Sequence, residues 1–450
     1  MPTSHPPIEG SWSASNSPLS RRLAVPLREF LDTEVAGGLV LLAATTIALV
    51  WANSPWQDTY EALWGTELAI EVGHWTLAMD LRHWINDGLM ALFFFVVGLE
   101  IKRELVAGEL RTPRTAALPA ITALGGMVAP ALVFLALNQG GPGERGWGIP
   151  MATDIAFAVG VLALFGSRVP SGLKVLLLSV AMVDDIGAII VIAVFYAGGL
   201  AWGPLAIAVG LLAVIAALHR VGVVWWPVHV LLGLAVWLAT YASGVQATIA
   251  GVALGLLMPT RPLVRHLSIS LGHDDDDDLQ PSAPVVHWVK QHVQETISPA
   301  ERLAHTFHPW TSYAVIPLFA LANAGVPLSQ AALAAAVGSP IAGGVVLGLV
   351  VGKLLGISGA TWLALRLRIG ALPEAVTGRQ VLALATVAGV GFTVSLFITG
   401  LAYPSPELQD QAQVGILAGS LLAALIAAGL LRASLPPPPG HSGASTPRDG

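Results

Sequence analysis

Twelve stretches of nearly unbroken apolar residues follow one another between residues 34 and 432. Most have about the 20 residues that a helix needs to cross the hydrocarbon of a bilayer. They fall at 34–53, 84–106, 116–138, 148–166, 172–197, 202–219, 223–242, 244–259, 309–325, 341–366, 380–401 and 411–432. No soluble core needs that many. With no water in the bilayer, backbone N–H and C=O groups must be satisfied within the chain, which leaves helices or a closed barrel. A barrel would read as short alternating strands, so the expectation is an all-α membrane protein. Composition agrees: 54% of the 450 residues are hydrophobic and only 11% charged, against about a quarter charged in soluble domains.

Charge placement predicts the topology. If the N-terminus is cytoplasmic, only Arg82 and Arg145 of the 22 Lys and Arg residues fall in outside loops, and only Lys353 falls within a span. That asymmetry follows the positive-inside rule and favours an even span count with both termini inside. Residues 1–30 lack the apolar core of a leader, so a cleaved signal is not expected, and they read as a disordered cytoplasmic extension. Residues 31–432 form the transmembrane domain, and the Pro-rich 433–450 read as a disordered tail. "ELAIEVGHWTLAMD" (Glu67–Asp80) alternates around a central Gly-His and predicts a small external hairpin. The inside loop 260–308 carries an acidic run at 274–278, read as a solvated insertion.

Against this background the charges inside spans stand out. Asp184 and Asp185 lie in "SVAMVDDIGAIIVIAV" (Ser179–Val194), ten residues past Lys174 and so about 15 Å into the helix. Each carboxylate at such depth costs about 2.5–3.5 kcal/mol to insert. Neighbouring residues differ by about 100° around a helix, so the two point different ways, one towards a cavity and one towards a neighbouring helix. In "GIPMATDIAFAVG" (Gly148–Gly160), Pro150 followed by Thr153 and Asp154 predicts a helix that stops and restarts within the membrane. Lys353 sits mid-span in "GLVVGKLLGISG" (Gly348–Gly359) and requires a carboxylate or carbonyl partner. Gly389 and Gly391 in "LATVAGVGFTVSLFI" (Leu384–Ile398) predict a second interrupted span. Two breaks in corresponding spans of two three-span blocks point to an ion site at the midplane between repeats.

The donors available are oxygens. The chain has no cysteine, and no histidine stands mid-span. Such a site suits hard cations. Carboxylates crowded in a low dielectric hold protons more tightly, so a proton and a cation compete for the same oxygens, the minimum requirement of an exchanger. An intramembrane aspartyl protease would carry GxGD, which "MVDDIG" lacks. The acidic run matches the DDxxD of prenyltransferases only as a homopolymer, and no filter-like signal supports a channel. An enzyme is therefore not expected, nor a cofactor, nor nucleic acid binding.

The five segments "NDGLMALFFFVVGLEIKREL" (Asn86–Leu105), "ATDIAFAVGVLALFGSRVP" (Ala152–Pro170), "VDDIGAIIVIAVFY" (Val183–Tyr196), "SPAERLAHTFHPW" (Ser298–Trp310) and "GVGFTVSLFI" (Gly389–Ile398) together resemble the NhaA family of bacterial Na+/H+ antiporters over roughly residues 27–432. The resemblance implies twelve spans with inverted repeats and two crossed, broken helices. It implies that Asp185 binds Na+ or H+ with Asp154 and Thr153, that Lys353 pairs with Asp184, and that Asp154 and Lys353 balance facing helix ends. It further implies electrogenic exchange of Na+ or Li+ for H+, a homodimer in the bacterial inner membrane, and a cytoplasmic pH-responsive cluster of Glu100, Arg103, Glu104, Arg302 and His305. Two departures fall in the pH-responsive parts: Gln246 where the family often has His, and Ala304 where an acidic residue is expected.

Overall fold

Each of the twelve apolar stretches is helical in the computed structural model, which describes residues 34–73, 75–223, 225–260 and 298–435. The terminal extensions and the 274–278 run lie outside the described residues. In chain order the elements are α1 Glu34–Ala52, α2 Gln57–Trp64, β1 Glu67–Val72, β2 Trp75–Asp80, α3 Leu81–Ala107 and α4 Pro113–Asn138. A 3-10 segment, Glu144–Met151, leads to α5 Ile155–Ala163, followed by α6 Ser171–Phe195, α7 Trp202–Val221, α8 Trp226–Ala242 and α9 Thr248–Leu257. The remainder comprises α10 Pro299–Trp310, α11 Ile316–Asn323, α12 Gln330–Val337, α13 Pro340–Arg366, α14 Gly378–Val387, α15 Phe392–Ala402 and α16 Pro406–Ser434.

Seven helical stretches of the described residues are long and apolar enough to span a bilayer, the interrupted Glu144–Ala163 among them, and α14 with α15 makes a bent pair at 47°. The protein is a multi-pass membrane protein. Its exposed apolar residues fit that setting: Leu421 and Leu425 on α16, Val194 and Phe195 on α6, and Trp202 on α7 all present large side chains outward, as lipid-facing positions must. The predicted hairpin forms, with Glu67 opposite Asp80 and Ile70 opposite Leu77. Gly73 turns it at φ +64°, a conformation that suits a residue without Cβ.

Two apolar clusters make up most of the interior among the described residues. One centres on Phe94, Phe319, Leu349 and Phe397, the other on Leu118, Leu177, Ile357 and Leu384. Small residues let the helices that carry the functional side chains approach closely, as is common between membrane helices. Gly125 of α4 and Gly356 of α13 face each other so tightly that a Cβ on either would strike the other's backbone. Thr122 and Thr361 hydrogen-bond across the same seam at 3.0 Å. A π-helical turn at Gly348–Gly352 precedes Lys353. Its two glycines lie against Pro150 and Pro130, which locks α13 beside the first break.

Candidate ion site

Both expected interruptions are present. The fourth span unwinds at 152–154 between the 3-10 segment and α5. The eleventh stops at Val387 and restarts at Phe392. The unwound stretches touch: Asp154 N donates to Val390 O at 2.7 Å. Pro150 lacks a backbone donor, and the glycines at 389 and 391 pack against Leu349, Ala152 and Ser395 with no room for a side chain. Two half-helices therefore begin at this crossing and two helical segments end at it.

Asp154 serves the beginnings. Its Oδ1 accepts from Phe157 N at 3.1 Å, and its Oδ2 accepts from Thr393 N at 3.0 Å and from Thr393 Oγ1 at 2.6 Å. The first turns of α5 and α15 thus share one buried carboxylate. Each helix N-terminus carries roughly half a positive charge, so one carboxylate matches the two. The endings are served from the other side. Thr153 Oγ1 lies 2.9 Å from Ala388 O, at the end of α14, and 2.6 Å from Asp184 Oδ2, its single proton serving either. Lys353 Nζ donates to Thr153 Oγ1 at 3.0 Å and to Asp184 Oδ2 at 2.6 Å. Lys353 is 0% and Asp184 2% exposed, so this ion pair is fully removed from solvent. Asp184 Oδ1 is buried with no hydrogen-bond partner, an orphan acceptor of the kind that a transported cation or proton satisfies.

Asp185 is only partly buried. Its carboxylate lies within electrostatic reach of Asp184, Glu100, Asp154 and Lys353. Three other carboxylates, one each from α6, the first break and α3, thus lie near Asp185. The four oxygen-bearing residues expected at the site, Thr153, Asp154, Asp184 and Asp185, lie together with Lys353.

The residues expected to respond to pH divide. Glu100 belongs to the neighbourhood of Asp185, with Arg103 as its countercharge. Glu104 accepts from Glu109 N at 2.6 Å and so closes the end of its own helix. Arg302 and His305 are exposed on α10, which packs on α3 through Phe95 and Phe307, ring centroids 6.0 Å apart. Ala304 adds to a small apolar cluster with Leu99, Met258 and Ala300. Gln246 donates to Asp87 Oδ1 at 2.8 Å. Sequence reasoning passed over Thr393 and Asp87. Thr393 had a visible signal: a hydroxyl at the restart of a broken helix, as Thr153 stands at the other break. Asp87 had a weaker one, a carboxylate near a span end with no charge of opposite sign beside it in sequence.

The chain is similar to known proteins over nearly its whole length. The profile of the family described as Na+/H+ antiporter 1 matches residues 28–431. A curated protein of Rhodopirellula baltica named Na(+)/H(+) antiporter NhaA is 47% identical over 430 residues, covering 94% of this chain and 96% of the relative. One of Sorangium cellulosum named Na(+)/H(+) antiporter NhaA 2 is 45% identical over 443 residues, covering 95% and 94%. One of Acidithiobacillus ferrooxidans named Na(+)/H(+) antiporter NhaA is 43% identical over 419 residues, covering 89% and 95%.

Proposed function

Because the chain belongs to the Na+/H+ antiporter 1 family, we propose that it exchanges cytoplasmic Na+ or Li+ for external H+ in a bacterial inner membrane, by alternating access to the carboxylates at the crossing. The observation that carries the reading is the partly accessible Asp185 beside the buried Lys353–Asp184–Thr153 knot. Asp185 is the loading group. Na+ takes its oxygens, with those of Asp184 and Thr153 within the same cluster, and cannot do so while a proton occupies them. Asp154 stays bonded to both helix starts and holds the crossing in register while the cargo changes.

The test uses vesicles with a preset pH gradient. Added Na+ or Li+ collapses the gradient in the native protein, K+ does not, and Asp185→Asn abolishes the effect. An undiminished collapse by Asp185→Asn removes Asp185 from the site. A pathway that passes Na+ without a proton gradient would be a channel instead.

The exchange is regulated by pH at the inner edge, where α10 meets α3. His305 and His308 are the candidate residues, both exposed on α10 at that edge. Replacing both with Gln flattens the curve of activity against pH. A curve that does not change disposes of the histidines as sensors.

A further inference from the structure

Two helical segments end at the crossing, the 3-10 segment at Met151 and α14 at Val387. The carbonyls of Ile149 and Ala388 therefore have no amide further along their own segment to accept from. A hydroxyl covers each. Thr153 Oγ1 lies 2.9 Å from Ala388 O, and Ser395 Oγ donates to Ile149 O at 2.7 Å. The two bonds are reciprocal. Thr153 stands at the restart of the fourth span and covers the end of the eleventh span's first half. Ser395 stands in the first turn of α15 and covers the end of the fourth span's first half. Both are buried, Thr153 at 2% and Ser395 at 0% exposure. Gly391 makes room for the second bond, since a Cβ there would strike Ser395 Oγ. The bonds differ in one respect. The Thr153 proton is contested, because Asp184 Oδ2 lies at 2.6 Å. Ser395 Oγ has Ile149 O as its one hydrogen-bond partner among the described residues.

We propose that Ser395 is a positioning residue for exchange: its bond to Ile149 holds the start of α15 against the end of the 3-10 segment, whichever way the Thr153 proton points. This rests on the reading of the Asp154–Asp185 cluster as the ion site. When a proton or a cation changes the charge at Asp184, the competition between Asp184 and Ala388 O for the Thr153 proton changes with it. That clasp cannot stay constant through a cycle. The Ser395 bond answers to no charged group and persists. It also sits close to the cargo ligands on both sides of the crossing. Ser395 is two residues from Thr393, which bonds Asp154 through its N and its Oγ1, and Ile149 is four residues from Thr153. A slip of α15 against the 3-10 segment would therefore shift Asp154 relative to Thr153 and Asp185. Bonds behind the ligands set their orientation and with it the affinity for a cation. A cation needs several oxygens at once and a proton only one, so loss of the Ser395 bond weakens Na+ loading and spares proton loading.

The experiment follows collapse of a preset pH gradient in vesicles over a range of Na+ concentrations, at each of two pH values. Ser395→Ala is expected to raise the KM for Na+ by roughly fivefold or more, as when a buried acceptor is left without its donor. The maximal rate changes by less than about twofold, the signature of weakened binding alone. The factor in KM is the same at both pH values, because proton loading is untouched. Ser395→Thr, which keeps a hydroxyl, returns KM towards the native value. Ser395→Cys keeps the volume with a weaker donor and gives an intermediate KM, and it supplies the comparison where the alanine form does not elute as folded protein. Thr399→Val is the control. Thr399 is equally buried one turn on, but its hydroxyl bonds Ser395 O within α15, so KM stays native. An unchanged KM in Ser395→Ala overturns the proposal, as does an equal rise in Thr399→Val or a rise at one pH only. Asp185→Asn is run alongside. If it still exchanges Na+, the ion site lies elsewhere and the proposal falls with it. If it is inactive while Ser395→Ala keeps the native KM, the positioning role alone falls.

Discussion

At the scale of single residues, the decisive quantity is the cost of a buried charge. Lys353 and Asp184 are both out of water, and removing one partner from such a pair leaves the other uncompensated, a loss of about 3–5 kcal/mol. Lys353→Ala is therefore expected to lower the melting temperature in detergent sharply. Adding Asp184→Asn to it recovers much of the loss, because no charge is then stranded. A double variant no more stable than the single one would show that the pair does not set stability. Thr393→Val tests the neighbouring carboxylate more gently. It removes the hydroxyl bond to Asp154 but keeps the backbone one from residue 393. A hydrogen bond to a charged group contributes about 1.5–3 kcal/mol, so exchange is expected to slow by roughly tenfold or more with the protein still folded. Equal rates would show that the two helix starts do not need their second bond.

At the scale of elements, the close pairing of α4 with α13 sets where Lys353 sits. Gly356→Leu must force the two backbones apart at Gly125. Overpacking of this kind costs about 1–3 kcal/mol, and because Lys353 lies less than one turn away, thermal stability and exchange should fall together. Melting curves and flux on the same preparation check this. The elements themselves were legible in sequence because a bilayer imposes length and polarity on every span. Pro150 and the 389/391 glycines marked the breaks for a local reason, the loss of a donor in one case and backbone freedom in the other. What sequence could not display was pairing between residues far apart in the chain. That Thr393 bonds Asp154, that Ala388 O meets Thr153 and that Glu100 faces the Asp185 neighbourhood all depend on helix rotations, and an apolar helix encodes rotation weakly. α11 is apolar nearly all round, so nothing in its patterning says which face is inward. Family resemblance assigned Lys353 to Asp184. From charge alone Asp185 was an equal partner.

At the scale of the whole molecule, the charge arrangement bears on the currency of exchange. With the cluster empty, Lys353 is matched by Asp184 and Asp154 is matched by two helix starts, which leaves Asp185 as the net negative charge. One Na+ neutralises it. If protons load both Asp185 and Asp184, the second proton frees the Lys353 charge and the loaded cluster carries one more positive charge than the Na+ form. Exchange then moves net charge inward with the protons, and an inside-negative potential drives it by about 2.3 kcal/mol per charge per 100 mV. In proteoliposomes holding Na+, an inside-negative potassium diffusion potential set with valinomycin is expected to accelerate Na+ efflux, and collapse of that potential to slow it. In the double variant Lys353→Ala with Asp184→Asn, only Asp185 can be loaded, by one proton or one Na+, and the same potential should leave the rate unchanged. Acceleration that persists in the double variant would place the extra charge elsewhere, with Glu100 the nearest candidate because it already acts on Asp185.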